Sequence, residues 1–175
     1  MLTVGQKFPE FKCHANVGPD KNSLKLVTNA DLKGKWGVYI FYPKDFTFVC
    51  PTELVEFNKK LKEFADRDAL VIGGSTDNEY SHLAWCQSHP ELKDLKYPLL
   101  GAQKLAGDLG ILHPEENVCL RATFVVDPDG IIQWVGVYPL SVGRNSTEVL
   151  RVLDAVQSDE LCPCNWQKGQ EHVKV

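Results

Sequence analysis

Six cysteines stand in this 175-residue chain, and they are unevenly placed. Cys13, Cys86 and Cys119 are isolated, Cys50 lies directly before Pro51, and Cys162 and Cys164 share a tail as Cys-Pro-Cys. A secreted disulfide scaffold is shorter and carries cysteine at about 8% or more. Catalysis, redox exchange or metal binding are the better readings of these thiols. Cys50 is the candidate nucleophile. Proline suits the first position of a helix, and a helix start offers orphan N–H groups and the positive end of a dipole. Both favour an anion, and the thiolate rather than the thiol is the reactive form of cysteine. The competing reading is a small buried hydrophobe, which many free cysteines are. Where dithiol redox proteins carry C-x-x-C, the same spacing here reads Thr47-Phe48-Val49-Cys50, so no local dithiol can form. Thr47 instead supplies a hydroxyl beside the sulfur, and Pro43 shields one side of the loop.

The surrounding pattern shows what must hold Cys50. Residues 37–42 (GVYIFY) form an apolar, strand-favouring run that Pro43-Lys44-Asp45 breaks. From Pro51 the spacing of Leu54, Phe57, Leu61 and Phe64 predicts one amphipathic helix. Residues 69–75 (ALVIGGS) read as a second buried strand, and Glu79 to His89 as a helix ending before Pro90. The stretch 90–120 is less regular, with a short strand at 97–100 and a helical turn near 103–109. Asp127-Pro128-Asp129-Gly130 is a turn between strand patterns at 121–126 and 131–138, hence a β-hairpin. A last helix begins near Asn145, where Asn-Ser-Thr-Glu148 resembles a capping box, with Val149, Val152, Leu153 and Val156 as its apolar stripe.

Strand, helix, strand, helix, insertion, hairpin, helix is the order of the thioredoxin fold. The expectation is therefore an α/β protein with a mixed central sheet flanked by helices, an N-terminal extension and a C-terminal arm. The domain would span 1–160 and the arm 161–175, a polar segment without an apolar stripe. Net charge is −4, with lysines and arginines scattered, which argues against nucleic-acid binding and against a polybasic membrane anchor. The first seven residues lack a signal-peptide pattern and no apolar run approaches 18 residues, so a cytoplasmic protein is expected.

Pro43-Lys-Asp-Phe-Thr47-Phe-Val-Cys50-Pro-Thr-Glu53 resembles the peroxiredoxin signature Pro-x-x-x-Thr-x-x-Cys in its fuller form ending Pro-Thr-Glu. The similarity extends along nearly the whole chain, through Gly143-Arg144 to the tail Leu161-Cys162-Pro163-Cys164-Asn165-Trp166. It points to the typical two-cysteine group, of the alkyl hydroperoxide reductase C kind. The resemblance implies that Cys50 attacks hydrogen peroxide or an organic hydroperoxide, with Pro43, Thr47 and Arg121 in support. Read alone, Arg121 is a solvated charge at a strand end. In a thioredoxin fold its strand lies beside the first, close enough for a guanidinium to reach the Cys50 loop. Glu53, alone a complement to the helix dipole, is implied to orient Arg121 and Arg144.

The same resemblance makes Cys162 the resolving cysteine, which usually comes from a partner subunit. It would condense with the Cys50 sulfenic acid, and residues 48–54 would unfold locally to allow it. Cys164 departs from the common family tail and is open to three roles: resolving in place of Cys162, relaying electrons, or neither. Cys-Pro-Cys lacks the paired spacing of structural zinc, and no metal, haem or flavin is called for. The implied partners are a dithiol reductant (thioredoxin, a flavoprotein disulfide reductase or an AhpD-like protein) and further copies of the chain, as a homodimer assembling into a ring, a decamer. Members sensitive to over-oxidation carry a Gly-Gly-Leu-Gly segment and a C-terminal Tyr-Phe helix. This chain reads Leu92-Lys-Asp-Leu-Lys-Tyr97 and Glu171-His-Val-Lys-Val175 there, so slow over-oxidation is expected.

Overall fold

The computed structural model of the chain describes residues 1–174; Val175, the last residue of the expected arm, lies outside the described residues. The run at 37–42 is strand β3 (Trp36–Phe41), five of whose six residues are buried. It leads through a loop into helix α1 (Cys50–Lys59) and a short helix α2 (Leu61–Ala65). Strand β4 (Ala69–Ser75) and helix α3 (Glu79–Ser88) follow, with Asn78 capping α3 by accepting from the N–H groups of Tyr80 and Ser81. The irregular stretch holds β5 (Leu99–Gly101) and α4 (Gln103–Leu109). Strands β6 (Arg121–Val126) and β7 (Ile132–Tyr138) make the expected hairpin, and α5 runs Ser146–Ser158.

Two elements differ from the sequence expectation. The N-terminal extension is part of the sheet: β1 (Lys12–Asn16) and β2 (Leu24–Thr28) pair antiparallel, and β1 also pairs with β5. Each strand has five residues with lysine or histidine among the apolar positions, too short a run for period-two alternation to stand out. The helix after Cys50 is interrupted at Lys60, which leaves helical geometry at φ −98° and ψ 8°. Leu54, Phe57 and Phe64 are nevertheless buried, because the turn at Lys60 keeps their common face inward.

The sheet has seven strands in the order β2-β1-β5-β4-β3-β6-β7. β3–β4 and β4–β5 are parallel, and the remaining pairs are antiparallel, which gives the mixed sheet. On one side of it Phe8, Phe11, Tyr39, Phe41 and Phe124 form an aromatic cluster, with Phe8 stacked on Tyr39 at 4.1 Å between ring centres. Burying side chains of this size supplies the main drive to fold, about 1.5–3 kcal/mol apiece. Two compact units are distinguishable, Met1–Arg144 and the segment from Asn145 onward.

Within the second unit, Asn145 caps α5 by accepting from the N–H groups of Thr147 and Glu148. The expected reciprocal half of the capping box gives way to a stronger partner. The Glu148 carboxylate is held by Arg151 through two bonds of 2.7 and 2.8 Å. The segment after α5 folds back on itself, with the Val173 N–H donating to the Leu161 carbonyl. Trp166 is only 3% exposed, and its carbonyl accepts from Arg151 at 3.0 Å. Among the described residues no helix is long and apolar enough to cross a membrane.

Candidate active site

β3 delivers the chain to α1 through residues 42–49, and the helix begins at Cys50 itself, one residue earlier than the proline rule predicts. No side chain caps this end: Val49 occupies the cap position with helical angles. Cys50 is fully buried. β6 pairs antiparallel with β3, and this pairing brings the start of β6, Arg121, to the Cys50 loop. Arg121 is not a solvated charge; it is 3% exposed. Its Nη1 donates to Cys50 Sγ at 3.4 Å and to Glu53 Oε2 at 2.7 Å, while Nε donates to the Leu140 carbonyl at 2.8 Å.

Glu53 stands one helical turn beyond Cys50 and accepts four hydrogen bonds. Besides Arg121, the Arg144 backbone N–H (2.9 Å), Nε (2.8 Å) and Nη2 (2.9 Å) all donate to it. Arg144 Nη1 turns to the Ala122 carbonyl and Thr123 Oγ1, which anchors the guanidinium to β6. Burial is the largest single influence on Glu53 and would raise its pKa. The hydrogen bonds and charge of Arg144, with the charge of Arg121, together outweigh it and hold the carboxyl below the usual range. One carboxylate thus faces two guanidiniums, and the surplus positive charge lies beside the sulfur.

Pro43 is buried where the loop leaves β3. The Thr47 hydroxyl donates to the Lys44 carbonyl at 2.9 Å, which commits its hydrogen and leaves its oxygen as an acceptor. In the second unit, Cys162 Sγ lies 3.4 Å from Ser158 Oγ and 3.8 Å from the Ala155 carbonyl, and Cys164 is exposed. Cys13, Cys86 and Cys119 are buried, and burial pushes their thiols up to about 11, 11 and 12.

Three residues that support this loop carry no sequence signal for it. Asp45 turns inward, its carboxylate accepting from Tyr42 Oη and Ser81 Oγ, both at 2.8 Å, and lying 2.8 Å from His82 Nδ1. His82 is fully buried, with Nε2 on the Leu100 carbonyl at 3.0 Å. A carbonyl only accepts, so Nε2 carries a hydrogen. The next residue, Phe46, adopts a left-handed φ of 56°, an uncommon conformation that lets the loop reverse around the buried Asp45. Sequence spacing shows none of this, because Asp45 and His82 are 37 residues apart and meet only when α3 packs under the loop.

Residues 4–135 match the model of the AhpC/TSA family. Alkyl hydroperoxide reductase C of Mycolicibacterium smegmatis is 48% identical over 100% of this chain and 95% of its own length. Mycobacterium tuberculosis AhpC superposes with a TM-score of 0.86 at 44% identity, over 95% of this chain and 99% of that one. The reduced 2-Cys peroxiredoxin of Plasmodium vivax superposes with a TM-score of 0.92 at 36% identity, over 99% and 94%. The chain belongs to the AhpC/TSA family: it is a peroxiredoxin, a thiol-dependent peroxidase with a thioredoxin-like fold.

Proposed function

We propose that this peroxidase reduces hydrogen peroxide and small organic hydroperoxides through Cys50, and that its assigned residues divide the labour as follows. The Cys50 thiolate attacks the nearer peroxide oxygen, the O–O bond breaks, and water or alcohol leaves with a proton as Cys50 becomes a sulfenic acid. The observation that carries this reading is Arg121 Nη1 at 3.4 Å from Cys50 Sγ, in a buried cluster with surplus positive charge. That charge favours an anion on the sulfur and on the departing oxygen. Thr47, its hydrogen committed to Lys44, accepts from the hydroperoxide O–H, and Pro43 keeps water from the sulfur. Glu53 and Arg144 hold Arg121 in place.

In the second half-cycle a tail thiol attacks the sulfenic sulfur, releasing water and leaving a disulfide. Cys162 is the assigned resolving residue, on an arm formed by residues 161–175, with Cys164 the alternative. Because Cys50 is fully buried, its turn must open for the two sulfurs to meet. A dithiol protein restores both thiols: thioredoxin, a flavoprotein disulfide reductase or an AhpD-like protein. Consuming a dithiol at every turnover suits a reducing compartment, which supports a cytoplasmic assignment. β7 is the last strand of the sheet; its start, Ile132, is covered by Gly5 and Gln6, and its edge position supports pairing with a second copy and growth to a ring of ten.

The test is mass spectrometry of non-reduced protein after one equivalent of hydrogen peroxide. A Cys50–Cys162 disulfide is expected, absent in Cys50→Ser. Oxidation confined to any other cysteine overturns the assignment.

A further inference from the structure

The segment 92–98 braces α1. Tyr97 is 3% exposed and its hydroxyl donates to the Leu54 carbonyl at 2.9 Å. One turn further along, Asn58 Nδ2 donates to the Asp94 carbonyl at 3.1 Å, and the Lys96 N–H donates to Asn58 Oδ1 at 3.0 Å. Leu92 and Leu95 are buried, so the brace is packed as well as hydrogen-bonded. Upstream of Leu54 the helix is held differently. Glu53 is gripped by Arg121 and Arg144, but this end of the helix is uncapped: Cys50 is tied through its sulfur to Arg121, and Thr52 bonds locally to the Val49 carbonyl.

We propose that Tyr97 is a positioning residue for the resolving step: its hydroxyl, clamped on the Leu54 carbonyl, limits how far the Cys50 turn unwinds and so sets how often the sulfenic acid reaches a partner thiol. This rests on the peroxidatic role given to Cys50. Burial raises the Tyr97 hydroxyl well above its ordinary value, so it stays a donor throughout the pH range of catalysis. Leu54 is the right place for such a clamp. In an α-helix its carbonyl also takes the Asn58 N–H, so freeing it loosens the next turn as well. The clamp therefore opposes resolution and leaves peroxide attack alone. A folded Cys50 sulfenic acid has two fates: condensation with a thiol, releasing water, or attack on a second hydroperoxide, giving sulfinic acid and water or alcohol.

The experiment compares wild type with Tyr97→Phe, which removes the hydroxyl and leaves the Leu54 carbonyl its helical partner. Rapid-quench mass spectrometry follows sulfenic acid, disulfide and sulfinic acid separately. The expected result is an unchanged rate of sulfenic acid formation and disulfide formation faster by roughly fivefold, the worth of one hydrogen bond of about 1 kcal/mol. The hydrogen peroxide concentration that gives half sulfinic acid rises by the same factor. Amide exchange at residues 55–58 accelerates while that of β3 and β4 does not, a pattern that general destabilisation would not produce. Equal disulfide rates and equal sulfinic thresholds in the two proteins overturn the proposal. Failure of Cys50 to form a sulfenic acid in wild type would instead overturn the peroxidatic assignment, so the two are separable. Asn58→Ala, which leaves the Tyr97 bond intact, is expected to give the same direction with a smaller factor; no change there alongside a null Tyr97→Phe closes the case against the brace.

Discussion

Cys50 and Cys119 are both completely buried. Their company differs. Around Cys119 burial is the governing influence and the thiol is pushed up to about 12. Cys13 and Cys86 share this condition, at about 11 each. Beside Cys50 stands a guanidinium that donates to its sulfur, itself held by a carboxylate that a second guanidinium supports. Burial of a cysteine is therefore not a mark of either reactivity or inertness. What sets Cys50 apart is direct contact: a guanidinium donates to its sulfur, whereas the charge of Arg144 reaches Cys119 only as a lesser influence beside burial.

The largest expected effect comes from exchanging serine into the two kinds of site. Cys50→Ser should abolish thiol-dependent peroxide consumption, while Cys119→Ser or Cys13→Ser should retain most of it, measured as peroxide loss with a chemical dithiol. Comparable losses at Cys119 would erase the contrast.

Next comes Glu53→Gln, which preserves shape but leaves two buried guanidiniums without their carboxylate. It should cost about 3–5 kcal/mol of stability. Cys50 oxidation should slow by about tenfold or more, as Arg121 loses its anchor. Stopped-flow oxidation and denaturant midpoints check the pair. The same carboxyl predicts an acid limb. Its folded value lies below the unfolded one, so its stabilisation is complete above the unfolded value of 4.5 and is lost as pH falls through the folded value.

The three burial-governed thiols predict an alkaline effect. Their folded values lie above the ordinary 9.0, so the unfolded chain loses protons first and stability declines as pH rises from 9.0 toward about 11 for Cys13 and Cys86 and about 12 for Cys119. Each contributes at most about 1.4 kcal/mol per pH unit in that window. Denaturant midpoints at pH 8, 9.5 and 10.5 should fall in order; constancy would mean these thiols are less enclosed than the structure has them.

Much of the site was legible because its motif is contiguous. Pro43, Thr47, Cys50 and Glu53 occupy one loop and one helical turn, where spacing alone sets proximity, and α5 and the β6–β7 hairpin carry plain caps and turns. The hairpin β1–β2 was not, since its short strands acquire meaning only by pairing with each other and with β5. Trp166 was missed for a related reason: a single anchor in a polar tail leaves no periodic trace, though it is 3% exposed in the fold.

The sequence by itself determined the chemistry on offer: a cysteine at a helix start, no second cysteine at C-x-x-C spacing, two further thiols in the tail. It also determined the alternation of strands and helices, because hydrophobic periodicity is local. Only the tertiary structure decided that Arg121 touches the sulfur, that Glu53 joins Arg121 to Arg144, that His82 lies under the loop and that Tyr97 grips Leu54. Each of these pairs residues 37 to 91 positions apart. Such contacts come from strand register and helix packing, which depend on the burial of the whole core and leave no mark on the local pattern.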